Sequence, residues 1–344
     1  MEPAGGLQPV RYSDDQPGNL PLKEKIFMFT GIDIGGTNIK AVLTDSTGKI
    51  LSSGDCPTPD TPGNIDSAIL TLIDSLAATA GINRDMINAT GIGAAGSIDR
   101  MKGTVILSPN IPCLKNYPLT ANIEAATGIK TFLENDATVA CAGFWWEKEG
   151  RKFRNFFMVT LGTGIGGGAV INGKLFSGQN GSCMEIGHMT VEIDGKKCAC
   201  GNRGCLEQYS SATALVDYTK SHLKKYRNSS LHKRIEKEKL NAKMISEEAM
   251  KNDELSVRAF DEISYYLGTG IANLVNILNP EAVVFGGGLS KAHKLIIPRV
   301  KKIVNERAMK GMKEKVKSIA VKNQSIIPAL GAAKIAMDRL KHIL

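Results

Sequence analysis

The sequence predicts an α/β protein built as two similar lobes that face one another across a cleft. Three observations lead there. A strand, a Gly-rich turn and a second strand occupy residues 27–45, and the same unit restarts at 155–171. Between them, an apolar strand at 129–133 runs into Glu134-Asn135-Asp136, and acids at the carboxyl ends of strands in open α/β sheets face the ligand crevice. The stretch from Glu185 to Glu207 gathers one histidine and three cysteines among glycines, the donor set of a closed structural zinc loop.

Length and composition fit this. The chain has 344 residues, enough for two domains, with 42% hydrophobic and 22% charged residues, ordinary values for a soluble globular protein. No apolar run reaches the roughly 18 residues of a membrane span. Residues 1–27 are polar, with Pro, Gly and Asp but no apolar h-region, so they read as a disordered extension rather than a signal peptide. The seven cysteines are odd in number and three cluster, which argues for metal in a reducing cytoplasm over a disulfide framework. The net charge of +9 concentrates in two basic segments, 220–243 and 291–317. Their lysines and arginines alternate with apolar residues at helical spacing without aromatic interleaving. Solvated helix faces therefore outweigh a nucleic-acid surface.

Taken in order, residues 27–33 and 39–45 are apolar strands joined by Gly35-Gly36-Thr37-Asn38. The glycines let phosphate oxygens approach backbone N–H groups, and Thr37 and Asn38 add donors. A strand follows this turn, so it is neither a Walker loop nor a Rossmann fingerprint. Asp33 is placed to hold Mg²⁺ through water. Residues 63–81 form an amphipathic helix ending at Gly81. A strand at 89–93 opens into a loop with Ala95, and a second loop holds Asn110. Asp136 is a candidate general base at its strand end; it is equally well placed to cap a helix over 137–146.

The second unit pairs a strand at 155–161 with a Gly-rich turn at 162–168 and a strand at 169–171. After the Cys/His segment the chain turns helical, with a long helix at 255–278. A strand at 281–285 feeds a third Gly-rich turn at 286–290, and a last helix spans 326–340. Within the Cys/His segment, His188, Cys198, Cys200 and Cys205 are the ligand set, and four protein ligands leave no open position for catalysis at the metal. If zinc holds one ring nitrogen of His188, the other is fixed as a donor. Glu185 and Glu207 stand close to it in sequence, and two acceptors beside one donor suit the vicinal hydroxyls of a sugar.

These residues resemble the ROK family of sugar kinases, within the actin/hexokinase-like ATPase superfamily. The matching motifs, in order, are D-I-G-G-T-N (33–38), E-N-D-A (134–137), L-G-T-G-I-G-G-G (161–168), E-I-G-H (185–188) and C-x-C-G-x-x-G-C-L-E (198–207). The resemblance implies two ribonuclease-H-like lobes around a cleft. Residues 28–135 with 329–344 form the smaller, and 136–328 the larger, with the zinc loop. It implies ATP-dependent phosphorylation of a hexose, foremost glucose at its 6-hydroxyl, with ATP, Mg²⁺ and structural Zn²⁺ as cofactors and a homodimer as the assembly. N-acetylmannosamine or N-acetylglucosamine kinase is the alternative.

By position, it makes Asp136 the base and Asn110, Asn135, Glu185, His188 and Glu207 the sugar ligands alongside it. Asp33 serves Mg²⁺, and residues 35–38 with Thr163 and Gly164 take the phosphates. Gly287 and Gly288 lie by the adenosine. Ala95, Thr138 and Phe144 depart from the family pattern, where Pro, Asn and Glu are common. A sugar-responsive repressor of the same family is disfavoured by the short polar stretch before the first strand. A polyphosphate-dependent glucokinase fits the zinc segment less well, and a sugar-binding scaffold would need neither Asp33 nor Asp136.

Overall fold

The computed structural model describes residues 27–179 and 181–343. The expectation of disorder for 1–27 falls, apart from Phe27, outside the described residues. Strands β1 (Met28–Ile34) and β2 (Asn38–Asp45) form a hairpin, and β3 (Ile50–Pro57) extends it antiparallel. Helix α1 (Pro62–Thr79) buries Ile65, Ile69, Leu72, Ile73 and Leu76, the stripe its periodicity predicts. Strand β4 (Ile87–Ala94) then joins parallel to β1.

A small three-stranded sheet follows, of β5 (Ser97–Asp99), β6 (Thr104–Leu107) and β7 (Lys115–Tyr117). Helix α2 (Leu119–Thr127) leads to β8 (Thr131–Asn135), parallel to β4 and two residues later than expected. Helix α3 (Asp136–Trp146) ends this half.

The second half repeats the plan. Strands β9 (Phe156–Leu161) and β10 (Ile165–Ile171) form a hairpin with β11 (Lys174–Leu175) at its edge. A helical block follows: α4 (Glu207–Ser210), α5 (Ala212–His222), α6 (Leu231–Ile235), α7 (Ala242–Met250) and the long α8 (Glu254–Leu278). Asp253 caps the start of α8, and Asn279 ends it in the left-handed region ahead of Pro280. Strand β12 (Ala282–Gly286), helix α9 (His293–Arg307), strand β13 (Lys317–Ala320) and helix α10 (Ile327–Lys341) complete it.

The two large sheets have the same plan. The first runs β3-β2-β1-β4-β8 and the second β11-β10-β9-β12-β13. In each, the two strands that follow the hairpin in the sheet order are parallel to its first strand. The result is an α/β fold with mixed sheets.

The halves are tied by an exchange of helices. Helix α3 leaves the first sheet and packs Ala140, Cys141 and Phe144 on Phe156, Met158 and Val170 of the second. Helix α10 leaves the second sheet and packs Ala329, Leu330 and Ala333 on Phe29, Ala89 and Phe132 of the first. Where they cross, a β-carbon on Gly143 would sit 1.9 Å from the Ile327 carbonyl oxygen, and one on Gly331 1.7 Å from that of Val139.

The basic segments are partly neutralised from within. Arg234 pairs with Glu238, Glu247 and Glu248, and Arg299 with Asp261. Among the described residues no helix is long and apolar enough to cross a membrane.

Candidate active site

The carboxyl ends of β1, β4 and β8 and the turns of the second sheet converge on one cleft. Asp33, Gly35, Gly36, Ala95, Asn110 and Asp136 line one side, and Thr160, Gly286, Gly287 and Gln324 the other, around a cavity of about 200 Å³. The first turn is tight: the Gly35 N–H donates to the Asn38 carbonyl at 3.1 Å, and Thr58 Oγ1 donates to the Gly35 carbonyl at 2.6 Å. Thr37 is exposed at its tip.

The β8–α3 junction sets the acid. Asn135, not Asp136, is the N-cap: its Oδ1 accepts from the N–H groups of Ala137 (2.9 Å) and Thr138 (3.3 Å). Asp136 is therefore the first helical residue, with its carboxylate accepting from the Ala137 N–H at 2.8 Å. Burial raises the Asp136 pKa; the Ala137 hydrogen bond opposes the rise and the Glu185 charge adds to it. Burial likewise lifts Asp33 from 3.8 to about 7, with Asp136 adding to the rise and Lys40 opposing it. The structure thus brings Asp136 within electrostatic reach of both Asp33 and Glu185.

The second Gly-rich turn is shorter than expected. Only Gly162, Thr163 and Gly164 lie in the turn, and Ile165–Ile171 is strand β10. Gly166 and Gly168 are glycine because α3 lies on them: a β-carbon would meet Ala137 Cβ at 2.7 Å and Cys141 Cβ at 2.5 Å. The turn is anchored by the Ala212 N–H on the Gly162 carbonyl (2.9 Å) and by Thr213 Oγ1 on the Thr163 carbonyl (2.8 Å). Glu207 Oε2 accepts from the Ile165 N–H at 2.9 Å, so one oxygen of this predicted sugar ligand already fastens the turn.

Thr37, Asn38, Asn135, Thr163, Gly164, Glu185, His188, Glu207 and Gly288 lie outside the lining of the cavity itself. Of the positions that depart from the family pattern, Ala95 faces the cleft, whereas Thr138 is buried and Phe144 is core, its ring 5.4 Å from that of Phe156.

The Cys/His segment brings its four candidate ligands together. The ligand atoms of His188, Cys198, Cys200 and Cys205 lie within 4.8 Å of one another. Two edges are short: Cys198 Sγ to His188 Nδ1, and Cys200 Sγ to Cys205 Sγ, both 3.7 Å. A tetrahedron with arms of about 2.3 Å has edges of about 3.8 Å, so both edges fit zinc, and 3.7 Å is far beyond a disulfide. The ring nitrogen turned toward Cys198 is Nδ1, which leaves Nε2 for a ligand. Burial holds the Cys205 thiol at about 12, with Cys198 and Cys200 adding to it; a bound dication reverses that logic and deprotonates a coordinating thiol.

Two residues to which the sequence assigned no role stand beside the site. Glu134 is buried next to Asn135, facing Arg100 (3.7 Å) and Arg339 (3.4 Å). Gln324, between β13 and α10, enters the cleft wall. Glu134 stands in the E-N-D-A motif, but its partner Arg339 is remote in sequence, and Gln324 belongs to no local pattern, with Ser290 as its distant partner.

Comparison with known proteins accords with this geometry. The ROK family model matches residues 29–339. A glucokinase of Thermotoga maritima is 38% identical over 316 residues, covering 90% of this chain and 97% of the relative. A putative xylose repressor of Caldicellulosiruptor is 30% identical, over 88% of this chain and 74% of the repressor. Among solved structures, a ROK family glucokinase from Streptomyces griseus in complex with glucose and AMPPNP superposes with a TM-score of 0.76 at 33% identity, covering 90% of this chain and 99% of that one. On the extent of the family match and of the relatives' identity, the chain belongs to the ROK family.

Proposed function

We propose that the protein is an ATP-dependent hexose kinase that transfers the γ-phosphoryl group to the 6-hydroxyl of glucose. The observation behind this reading is Asp136, enclosed at the start of α3 beside Asp33 and facing Gly-rich turns from both sheets. The glucokinase relative and the glucose and AMPPNP complex of a similar chain support both substrates.

The roles in this reading are those the family resemblance implies. The sugar hydroxyls are held by Asn110, the Asn135 amide, Glu185, the Glu207 oxygen not bonded to Ile165, and His188 Nε2–H. Asp136 accepts the proton as the hydroxyl oxygen bonds to the γ-phosphorus and ADP leaves. Its raised proton affinity brings it nearer to operating pH, as a general base needs. Gly35, Gly36, Thr37 and Asn38 on one side, and Thr163 and Gly164 on the other, offer donors to the phosphates. Gly287 and Gly288 flank the adenosine.

Asp33 and Asp136, two enclosed carboxyls with Lys40 as the opposing charge, fit a divalent ion, and Asp33 would hold Mg²⁺. When bound, that ion neutralises charge on the β- and γ-phosphates. His188, Cys198, Cys200 and Cys205 would hold a structural zinc that fixes the imidazole. In this reading residues 28–135 with 329–344, and 136–328, are ribonuclease-H-like lobes that close over the substrates and exclude water. The clustered cysteines in this reading need a reducing cytoplasm to stay available to metal, and a homodimer is the assembly the family implies.

The test is an ATP-coupled assay on glucose, mannose, fructose, N-acetylglucosamine and N-acetylmannosamine, with wild type and Asp136→Asn in parallel. Turnover on glucose that falls by about 10²–10⁴-fold in the variant is expected. Preference for an N-acetylated sugar would move the reading to that kinase. Sugar binding without turnover on any of them would move it to a regulator.

A further inference from the structure

Glu134 is a buried carboxylate that the proposed mechanism leaves idle. On β8 it shares a face with Phe132, and α10 covers that face, with the Arg339 guanidinium 5.8 Å from the Phe132 ring. An apolar side chain would fill the position. Instead Glu134, 3% exposed, stands between Arg100 (3.7 Å) and Arg339 (3.4 Å). Taking such a cluster out of water is costly, so it is a poor device for stability; what it supplies is a fixed arrangement.

The surroundings give that arrangement a use. Glu134 Oε1 accepts from the N–H of Asn135 at 3.2 Å, and Asn135 caps the helix whose first residue, Asp136, lines the cleft. On its other side, Arg100 reaches from the small sheet of the first half to the second half. Its stem lies on the backbone of Gly181: a β-carbon there would be 1.9 Å from Arg100 Cδ and 2.6 Å from Nη1. Glu185 follows four residues later. Between them, the Cys183 thiol is raised by burial and by the Glu134 charge, with Arg100 opposing and Glu185 adding. Glu185 in turn acts on Asp136. Arg100 therefore touches both the strand end that carries Asn135 and Asp136 and the segment that ends in Glu185.

We infer that Arg100 is a positioning residue for the phosphoryl acceptor: seated on Glu134, it docks residues 181–185 and so holds Glu185 of the second half in place beside Asn135 and Asp136 of the first. The inference rests on the kinase reading and extends it to a residue that acts through others. Arg339 comes from α10 and keeps Glu134 paired when Arg100 is removed. Loss of Arg100 thus tests the docking rather than an abandoned buried charge.

The experiment measures the KM for hexose, the KM for ATP and the calorimetric affinity for glucose without nucleotide. Arg100→Met keeps the stem and removes the guanidinium. It is expected to raise the hexose KM and weaken glucose binding by about tenfold to a hundredfold, with the KM for ATP unchanged. Arg100→Lys keeps the charge without the planar fork and should recover part of the loss. Glu134→Gln should act in the same direction as Arg100→Met. The double variant should be no worse than the worse single one, because both break one contact.

An unchanged hexose KM in Arg100→Met overturns the inference. So does a loss that falls equally on the KM for ATP, as general loosening of the fold would give, or effects that add in the double variant. Should Arg100→Met not fold, the same split between the two KM values is read from Arg100→Lys and Glu134→Gln. A wild type that phosphorylates glucose while Arg100→Met binds it equally well loses this inference and keeps the kinase reading. A wild type that binds glucose without phosphorylating it, with binding weakened in Arg100→Met, does the reverse. A wild type that binds no hexose overturns both.

Discussion

Glu207 accepts a hydrogen bond from the backbone N–H of Ile165 at 2.9 Å, joining the end of the Cys/His loop to the second Gly-rich turn. A β-carbon on Gly164 would lie 2.1 Å from the same carboxylate oxygen, so loop and turn move together. Glu207→Ala leaves the Ile165 N–H unpaired and should cost about 1–3 kcal/mol of stability. Glu207→Gln keeps an acceptor and should recover most of it. Both should raise the hexose KM. Denaturant unfolding and steady-state kinetics read the two effects separately, and equal stability of the two variants would remove the turn-fastening role.

Asp33 gives a signed pH dependence. Its folded pKa, about 7, is above its ordinary 3.8, so between those values the native state binds more protons than the unfolded chain. Stability from this group is therefore greatest in acid and is lost as pH rises toward 7. Metal-free Asp33→Asn escapes this loss. Its stability relative to wild type should grow by up to about 1.4 kcal/mol per pH unit across that window and level off above it. A difference that stays flat from pH 4 to 8 would show that Asp33 is not so enclosed.

The Cys/His cluster should bind one zinc per chain, by elemental analysis of purified protein. Stripping it with a strong chelator should lower the melting temperature and raise the hexose KM, because His188 loses its fixed orientation. The KM for ATP should change little. Full sugar affinity after verified metal loss would contradict the substrate-shaping role.

The helix crossing is intolerant of added volume. With carbonyl oxygens 1.9 and 1.7 Å from the β-carbon positions of Gly143 and Gly331, alanine at either should destabilise by about 1–3 kcal/mol or more. Gly63, with open space around its β-carbon position, is the control and should tolerate alanine. A thermal melt of the three variants decides this.

The sequence exposed what depends on neighbouring residues. Apolar runs bounded by Gly-rich turns located the hairpins at residues 27–45 and 155–171, and the spacing of His188, Cys198, Cys200 and Cys205 gave a cluster whose edges fit a tetrahedron. It failed where the cause is tertiary. The run from Gly162 to Gly168 was read as one turn, yet Gly166 and Gly168 are strand residues made small by Ala137 and Cys141 of α3. Strands of three or four residues, such as β5 to β7, are too short to show alternation. The cap went to Asn135 because its side chain reaches back to two N–H groups, a choice that two adjacent polar residues do not reveal.

The helix exchange also bears on how the chain is made. Strands β1, β4 and β8 leave the ribosome early, but the apolar face they share with Ala329, Leu330 and Ala333 is covered by α10, which emerges after the whole second sheet. Until then that face is a transient exposed surface, of the kind that chaperones bind and that aggregates nucleate on. The first sheet can pack its α1 and α2 face at once, but its other face waits for the second half. Closure of that shared face waits on one late helix, and a ribosome stalled shortly before Ile327 would display a chain whose first sheet is packed on one face and bare on the other.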